Sequence, residues 1–285
     1  MTLTLLAIRQ SDGRENLGKK VGDRVIDLRG AGLPATVDEA LRQGRLSDIA
    51  KADGPAISES AITHGRLFAD PGKLICIGLN YRRHAQEVGA EFPKAPVVFS
   101  KFNNALAGHG GVLTLPPSDI TSKVDYETEL VIVIGKRARD IAEADALSCV
   151  AGYCVGNDVS ARDLQGANGG QWLLGKTLDG FAPIGPYFVS ADQIADPNDL
   201  RLETWVNGEK RQDSRTSDFI FNCQQMISYL SRQFTLEPGD LIFTGTPQGV
   251  ILGFPKEKRV WLKAGDVIES RIEKLGTLTF TLAGP

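Results

Sequence analysis

Three carboxylates, Glu127, Glu129 and Asp158, and one histidine–glutamate pair, His84 and Glu87, are the residues of this 285-residue chain whose types and spacing suit catalysis. Glu127 and Glu129 belong to Tyr126-Glu-Thr-Glu-Leu-Val-Ile-Val-Ile-Gly135. Period-two alternation sends Glu127, Glu129, Val131 and Val133 to one face and Thr128, Leu130, Ile132 and Ile134 to the other. Both faces are apolar further along, so the strand is expected to be covered on both sides. Two carboxylates about 7 Å apart on one face then meet either solvent at the strand's mouth or a compensating cation. Taken alone, the wet end of a strand entering the core explains them equally well. Asp158 shifts the balance, because the apolar run Val150–Val155 ends in Gly156-Asn-Asp-Val-Ser160 and delivers it at a strand terminus. Capping the short helix that begins near Ser160 is an equally good local role for it. Three carboxylates without Cys or His make a hard, oxygen-only set, suited to Mg2+ or Mn2+ with open positions for substrate oxygens rather than to Zn2+.

His84 and Glu87 lie in Gly78-Leu-Asn-Tyr81-Arg-Arg-His84-Ala-Gln-Glu87, at i and i+3 on one helical face. A carboxylate beside imidazole orients it and raises its basicity, which suits a general base that deprotonates water. An isolated H-x-x-E is more often an incidental surface contact. Lys176, in Gln171-Trp-Leu-Leu-Gly-Lys176-Thr-Leu-Asp-Gly180, is flanked by apolar residues and glycines. It either binds a substrate carboxylate or developing oxyanion, or snorkels from a loop to water, and the local sequence does not choose. Leu241-Ile-Phe-Thr244-Gly-Thr246-Pro-Gln-Gly249 ends a strand in a turn that offers backbone N–H and threonine hydroxyls to an anion. No nucleotide-binding glycine signature occurs. His109, in Gly108-His-Gly-Gly111, reads as structural, and His64 gives no signal.

The elements that position these residues are mostly strands. Residues 1 to about 70 read as a separate small α+β unit: strands over Thr2–Ile8 and Lys20–Asp27, then a helix over Thr36–Gln43 with Thr36 as N-cap. From 71 to 285 strand-like runs dominate: Lys73–Gly78, Val97–Ser100, Tyr126–Gly135, Val150–Val155, Tyr187–Ser190, Leu202–Val206, Asp240–Thr244 and Val267–Ile272. They are punctuated by turns such as Asn207-Gly208 and Glu237-Pro-Gly-Asp240. Helices are expected at Arg83–Val88, Glu143–Ala146, Ala161–Gln165 and Asn222–Ser231. The predicted class is α+β and β-rich. With 32 Lys+Arg against 35 Asp+Glu and no basic run, nucleic acid is not an expected partner, and no window is apolar enough to span a membrane. The short apolar N-terminus lacks a basic n-region, so a cytoplasmic protein is expected. Four scattered cysteines, Cys76, Cys149, Cys154 and Cys223, read as buried reduced thiols.

Together these stretches resemble the fumarylacetoacetate hydrolase family from about Lys73 to the C-terminus. The resemblance rests on Gly78-Leu-Asn-Tyr81, His84-x-x-Glu87, Asp125-Tyr-Glu-Thr-Glu-Leu130, Asn157-Asp-Val-Ser-Ala-Arg-Asp163 with Gln165, Gly175-Lys176, Val206-Asn-Gly-Glu209, Pro238-Gly-Asp240 and Thr244-Gly-Thr-Pro247. It implies a mixed β-roll or sandwich catalytic domain with a small variable N-terminal domain, usually in a homodimer. It further implies Mg2+ or Mn2+ at Glu127, Glu129 and Asp158, and a lid-borne His84–Glu87 pair that activates water. Tyr81, Arg162, Gln165 and Thr246 would contact substrate, and Lys176 would stabilise charge. Gly180, Phe102-Asn-Asn and Gln248-Gly-Val-Ile251 depart from the family pattern around the expected pocket, which bears on substrate identity rather than on the metal.

The activity implied is hydrolysis of a 2,4-dioxo acid, an acylpyruvate or fumarylpyruvate-like compound, to pyruvate and a carboxylic acid. Oxaloacetate decarboxylation and isomerisation or decarboxylation of 2-hydroxyhepta-2,4-diene-1,7-dioate need the same metal-stabilised enolate without an attacking water. A catalytically silent keto-acid-binding regulator is the alternative outside enzymes.

Overall fold

The computed structural model describes residues 2–285. In chain order, β1 (Thr4–Arg9), β2 (Glu15–Val21), β3 (Arg24–Asp27) and β4 (Ala56–Ser58) make an antiparallel ribbon, with helices α1 (Val37–Arg42) and α2 (Leu46–Lys51) between β3 and β4. There follow β5 (Leu74–Gly78), α3 (Arg82–Glu87), β6 (Val97–Lys101), β7 (Leu106–Ala107), β8 (Val112–Thr114), β9 (Val124–Asp125), β10 (Thr128–Ile134), β11 (Val150–Asn157) and β12 (Ser160–Ala161). The chain continues through α4 (Arg162–Gly166), α5 (Leu173–Lys176), β13 (Ala182–Ser190), β14 (Arg201–Val206), β15 (Glu209–Arg215), α6 (Cys223–Gln233), β16 (Leu241–Phe243), β17 (Val267–Ile272) and β18 (Gly276–Ala283).

A large mixed sheet runs β4-β3-β2-β1-β13-β11-β10-β16-β5-β6, and a second sheet runs β15-β14-β17-β18-β8. Strand β10 lies inside the first, between β11 and β16, and all seven of its residues are buried. Its alternation sorts the core as the sequence predicts. Leu130, Ile132 and Ile134 pack with Leu202, Ile268, Leu278 and Phe280 of the second sheet. Val131 and Val133 point the other way, into a core with Phe243, Cys154, Val37 and Leu41. The first seventy residues extend the large sheet through β1–β13 pairing, Leu5 opposite Phe188, and share that second core.

Thr36 caps α1 by accepting the Glu39 amide, and Asn222 and Gln225 form a reciprocal capping box that starts α6. Four elements differ from the sequence expectation. Lys20–Asp27 is the turn of a hairpin rather than one strand, because Gly22 takes a left-handed conformation at φ 58°. Glu143–Cys149 is a 3-10 rather than an α-helix. Strand β15, E-K-R-Q-D-S-R, escapes a hydrophobicity reading because it is an edge strand with four of its seven residues exposed. Strand β18 carries an alternating T-L-T-F-T-L pattern that is legible, yet it was not expected. All four cysteines are free and buried. Among the described residues, no helix is long and apolar enough to cross a membrane.

Candidate metal centre and active site

Antiparallel pairing of β10 with β11 sets Thr128 opposite Asn157 and Glu129 opposite Gly156. The chain crosses at the end of this pair: the Glu127 amide donates to Asn157 Oδ1 at 3.0 Å, and the Asp158 amide donates to the Glu127 carbonyl at 2.8 Å. These bonds bring the three carboxylates together, each offering an oxygen within 4.8 Å of the others. All three residues are buried.

Cations surround them. Lys176 Nζ donates to Glu127 Oε2 and to Asp158 Oδ2, each at 2.7 Å. Arg162 reaches Glu127 Oε1 at 2.6 Å, pairs with Asp125 Oδ2 through Nε at 2.9 Å, and donates to Gln165 Oε1 at 2.9 Å. Burial alone would raise the Glu127 carboxyl, but Arg162 and Lys176 override it and hold that group well below the usual carboxylate range. Glu129 behaves oppositely. Burial, reinforced by Asp158 and Glu127, pushes its carboxyl well above the usual value, while the charge of Lys176 and the Gly245 amide at 2.7 Å only partly offset this.

Two features fit a divalent cation. Among the described residues Glu129 forms no ion pair, and Asp158 Oδ1 is buried without a hydrogen bond. Lys101 Nζ lies 2.6 Å from Asp158 Oδ1, but its protons go to the carbonyls of Val159 at 3.1 Å, of Phe181 at 2.8 Å and of Lys176. Glu127, Glu129 and Asp158 are therefore the residues that would hold the metal, and their oxygen-only set suits Mg2+ or Mn2+.

The triad floors a cavity of about 300 Å3. Leu79, Val88, Phe99, Trp172 and Leu252 form its apolar wall, and His84, Arg162, Gln165, Lys176 and Thr246 its polar lining. Gly78 makes room for the wall, since a Cβ there would stand 2.4 Å from the Trp172 ring. His84 sits on α3 with Nδ1 3.4 Å from Glu87 Oε2. Asn80 anchors the start of that helix by donating to the Thr244 carbonyl at 2.8 Å and accepting the Phe221 amide at 2.8 Å. Thr246 Oγ1 donates to the Thr128 carbonyl at 3.0 Å and accepts from Gln212 at 2.9 Å. Tyr81, expected among the substrate contacts, is instead fully buried outside the cavity lining, its ring edge-on to Phe219 at 4.8 Å.

Lys101, Asp125 and Gln212 carry no role in the sequence reading, yet they support this site. Asp125 accepts the amides of Ile251 at 2.8 Å and Leu252 at 3.0 Å besides pairing with Arg162, which ties the loop after β16 to the triad. A larger groove of about 560 Å3, lined by Arg83, Arg201 and Arg215, contains none of the triad. Its Arg201 and Arg215 are paired with Asp213 and Asp199.

The family model described as fumarylacetoacetate (FAA) hydrolase, C-terminal, matches residues 73–283. The chain belongs to the fumarylacetoacetate hydrolase family. A fumarylacetoacetate hydrolase domain-containing protein 2 homolog of Dictyostelium discoideum is 54% identical over 219 residues, which are 73% of this chain and 70% of that protein. An oxaloacetate tautomerase of Rattus norvegicus, named mitochondrial, is 42% identical over 265 residues, 90% of this chain and 83% of its own length. The solved maleylpyruvate hydrolase of Sphingobium sp. SYK-6, in complex with manganese(II) and pyruvate, superposes with a TM-score of 0.78 at 28% identity, covering 100% of this chain and 99% of that one. The β-rich fold of mixed sheets is the fold of this family.

Proposed function

We propose that this fumarylacetoacetate hydrolase family member is a divalent-metal-dependent enzyme of small 2-oxo acids, and that its reaction is keto–enol interconversion of oxaloacetate. The observation that carries the reading is that the carboxylate triad and His84 face one cavity of about 300 Å3, large enough for a four-carbon diacid. The 42% identity to an oxaloacetate tautomerase over 90% of the chain supports this choice of substrate.

When bound by Glu127, Glu129 and Asp158, Mg2+ or Mn2+ supplies Lewis-acid polarisation of the 2-oxo group. The chain's own residues do the rest. His84, oriented by Glu87, moves the proton between C3 and the 2-oxo oxygen. Lys176 donates to oxygen as negative charge develops there, for which one good donor is typically worth about 3 kcal/mol. Gln165 and Thr246 orient the distal half, and the apolar wall of Phe99, Trp172 and Leu252 excludes water.

Hydrolysis of an acylpyruvate is the second reading, favoured by the same His84–Glu87 pair. There His84 would take a proton from water, the hydroxide would add to the distal carbonyl, the bond to C3 would break to release an acid and the enolate of pyruvate, and His84 would return its proton to C3 to give pyruvate.

The test follows the enol absorbance of oxaloacetate, acetylpyruvate and fumarylpyruvate with Mg2+, with Mn2+ and with EDTA. Metal-dependent acceleration of oxaloacetate equilibration, lost with EDTA, is the expected result. Consumption of acylpyruvates without any effect on oxaloacetate would replace it with the hydrolytic reading, and inertness toward all three would leave a keto-acid-binding protein. The homodimer and the cytoplasmic location expected above belong to the same proposal, tested by sedimentation and by fractionation of the source cell.

A further inference from the structure

Lys101 is an unusual residue to find under a cation site. Its side chain has no solvent exposure, and it ends β6 behind the triad rather than in the cavity. Its three ammonium protons are taken by the carbonyls of Val159, Lys176 and Phe181, so it cannot turn toward a ligand. What remains is charge, 2.6 Å from the oxygen of Asp158 that has no hydrogen bond. Burying an ammonium is expensive, and three carbonyls can be satisfied by neutral donors, so the retained charge calls for an electrostatic use.

That use emerges from the contacts around it. Asp125, Glu127, Glu129 and Asp158 form one buried cluster with Lys101, Arg162 and Lys176. With a divalent cation bound, Glu129 gives up its proton and four carboxylates face three fixed cations and the two charges of the metal, leaving one positive charge that one substrate carboxylate neutralises. Without Lys101, the cation alone would neutralise the cluster and an incoming carboxylate would find no net partner charge.

We propose that Lys101 is a fixed counter-charge that sets this centre to take a divalent cation together with a single carboxylate, so that a 2-oxo acid enters through one carboxylate and keeps any second one away from the buried cluster. The inference rests on the metal reading of the proposed function. It makes Lys101 a positioning residue of a particular kind, one that acts on charge balance through Asp158. It also sets an opposite sign for the two ligands: removing the charge strengthens binding of the cation and weakens binding of the carboxylate. A residue that merely props up the loop would weaken both.

The experiment titrates Mn2+ by calorimetry into the EDTA-stripped full chain, alone and with pyruvate or the neutral methyl pyruvate. In the wild type, pyruvate tightens Mn2+ about tenfold and methyl pyruvate does not, with reciprocal tightening of pyruvate by Mn2+. In Lys101→Met, Mn2+ alone binds severalfold tighter, while pyruvate binds the Mn2+-loaded protein at least tenfold more weakly. Weakening of both ligands, or a change in neither, overturns the inference. If Lys101→Met does not fold by circular dichroism, the wild-type arm decides, and equal effects of pyruvate and methyl pyruvate overturn it. Failure of the wild type to bind Mn2+ at all is the distinct outcome that removes the metal reading beneath it.

Discussion

Both oxygens of Glu87 accept the amide of Gly249, at 2.9 and 3.1 Å, and this contact closes α3 onto the loop that follows β16. Gly253 packs against the same carboxylate, where a Cβ would lie 2.2 Å from Glu87 Cδ. The partner of His84 is thus held by the loop opposite. Glu87→Ala should lower kcat about 100-fold, the lower range for a general base that has lost its orientation. Hydrogen exchange should speed up across Arg82–Val88 and Gly249–Gly253 while Mn2+ affinity stays put, because Glu87 touches none of the three carboxylates. Native exchange rates with full turnover would remove Glu87 from both roles.

Glu127→Gln tests the centre itself. The glutamine keeps the side chain's size, but it takes away the charge that faces Arg162 at 2.6 Å and Lys176 at 2.7 Å. Mn2+ binding should weaken by at least 100-fold, and every 2-oxo acid activity should go with it. Stability should drop as well, by about 3 kcal/mol, because two buried cations lose a partner. Wild-type Mn2+ affinity in a folded Glu127→Gln protein would show that the triad is not the metal site.

The triad was legible in the sequence because its strand is covered on both sides, and burial of every residue of β10 together with the 4.8 Å carboxylate cluster matches that reasoning. His84 and Glu87 were legible as a helical i, i+3 pair. The supporting ring was not. Lys101 ends a short apolar strand, and a lysine in that position ordinarily marks the point where a strand leaves the core. Gln212 lies in β15, whose polar sequence hides the fact that its side chain is buried and holds Thr246. Such roles are set by contacts far apart in sequence, 34 positions for Gln212 with Thr246 and 58 to 80 for Lys101 with its carbonyl partners, which no local pattern encodes. Tyr81 illustrates the converse: its motif was readable, but its ring faces Phe219 rather than the cavity.

Glu129 makes the metal-free protein pH-sensitive in a definite direction. Burial, Asp158 and Glu127 raise its carboxyl above the ordinary value of 4.5, so from there upward the folded chain retains a proton that the unfolded chain has released. Stability contributed by this proton is complete below the unfolded value and is lost as pH rises toward the raised folded one. Glu127, shifted downward, titrates below this window. In EDTA, the Tm difference between Glu129→Gln and the wild type should therefore grow in the mutant's favour as pH rises above 5, and saturating Mn2+ should reverse the order. A difference that is flat with pH would mean that Glu129 stays ionised without a metal.

Asp125 should matter as much for stability as for activity. It is fully buried, pairs with Arg162 at 2.8 Å, and accepts the amides of Tyr126, Ile251 and Leu252. Asp125→Asn leaves Arg162 beside Glu127 alone and turns part of an acceptor site into a donor that faces amides. The loss should be about 3–5 kcal/mol, as for removal of one partner of a buried ion pair. Denaturant unfolding measures it, and a change below 1 kcal/mol would show that the loop from Gly249 to Leu252 is held by other contacts.

Acid sensitivity has a separate source in His109. Its Nδ1 accepts the Thr279 amide at 3.0 Å, and its ring meets His64 edge-on at 4.5 Å between centroids. Burial, with a smaller contribution from His64, lowers His109 from 6.5 to about 4. Here the unfolded chain takes up a proton that the folded chain refuses, so the stability gained by keeping the ring neutral is lost as pH falls from about 6.5 to about 4. His109→Asn replaces the acceptor without the titration. Its Tm should fall less steeply than that of the wild type across this interval, and the two should run parallel above pH 7. Carboxylates that titrate in the same range are common to both proteins and cancel in the comparison. Parallel curves throughout would mean that His109 takes up its proton within the fold, by turning its ring away from Thr279.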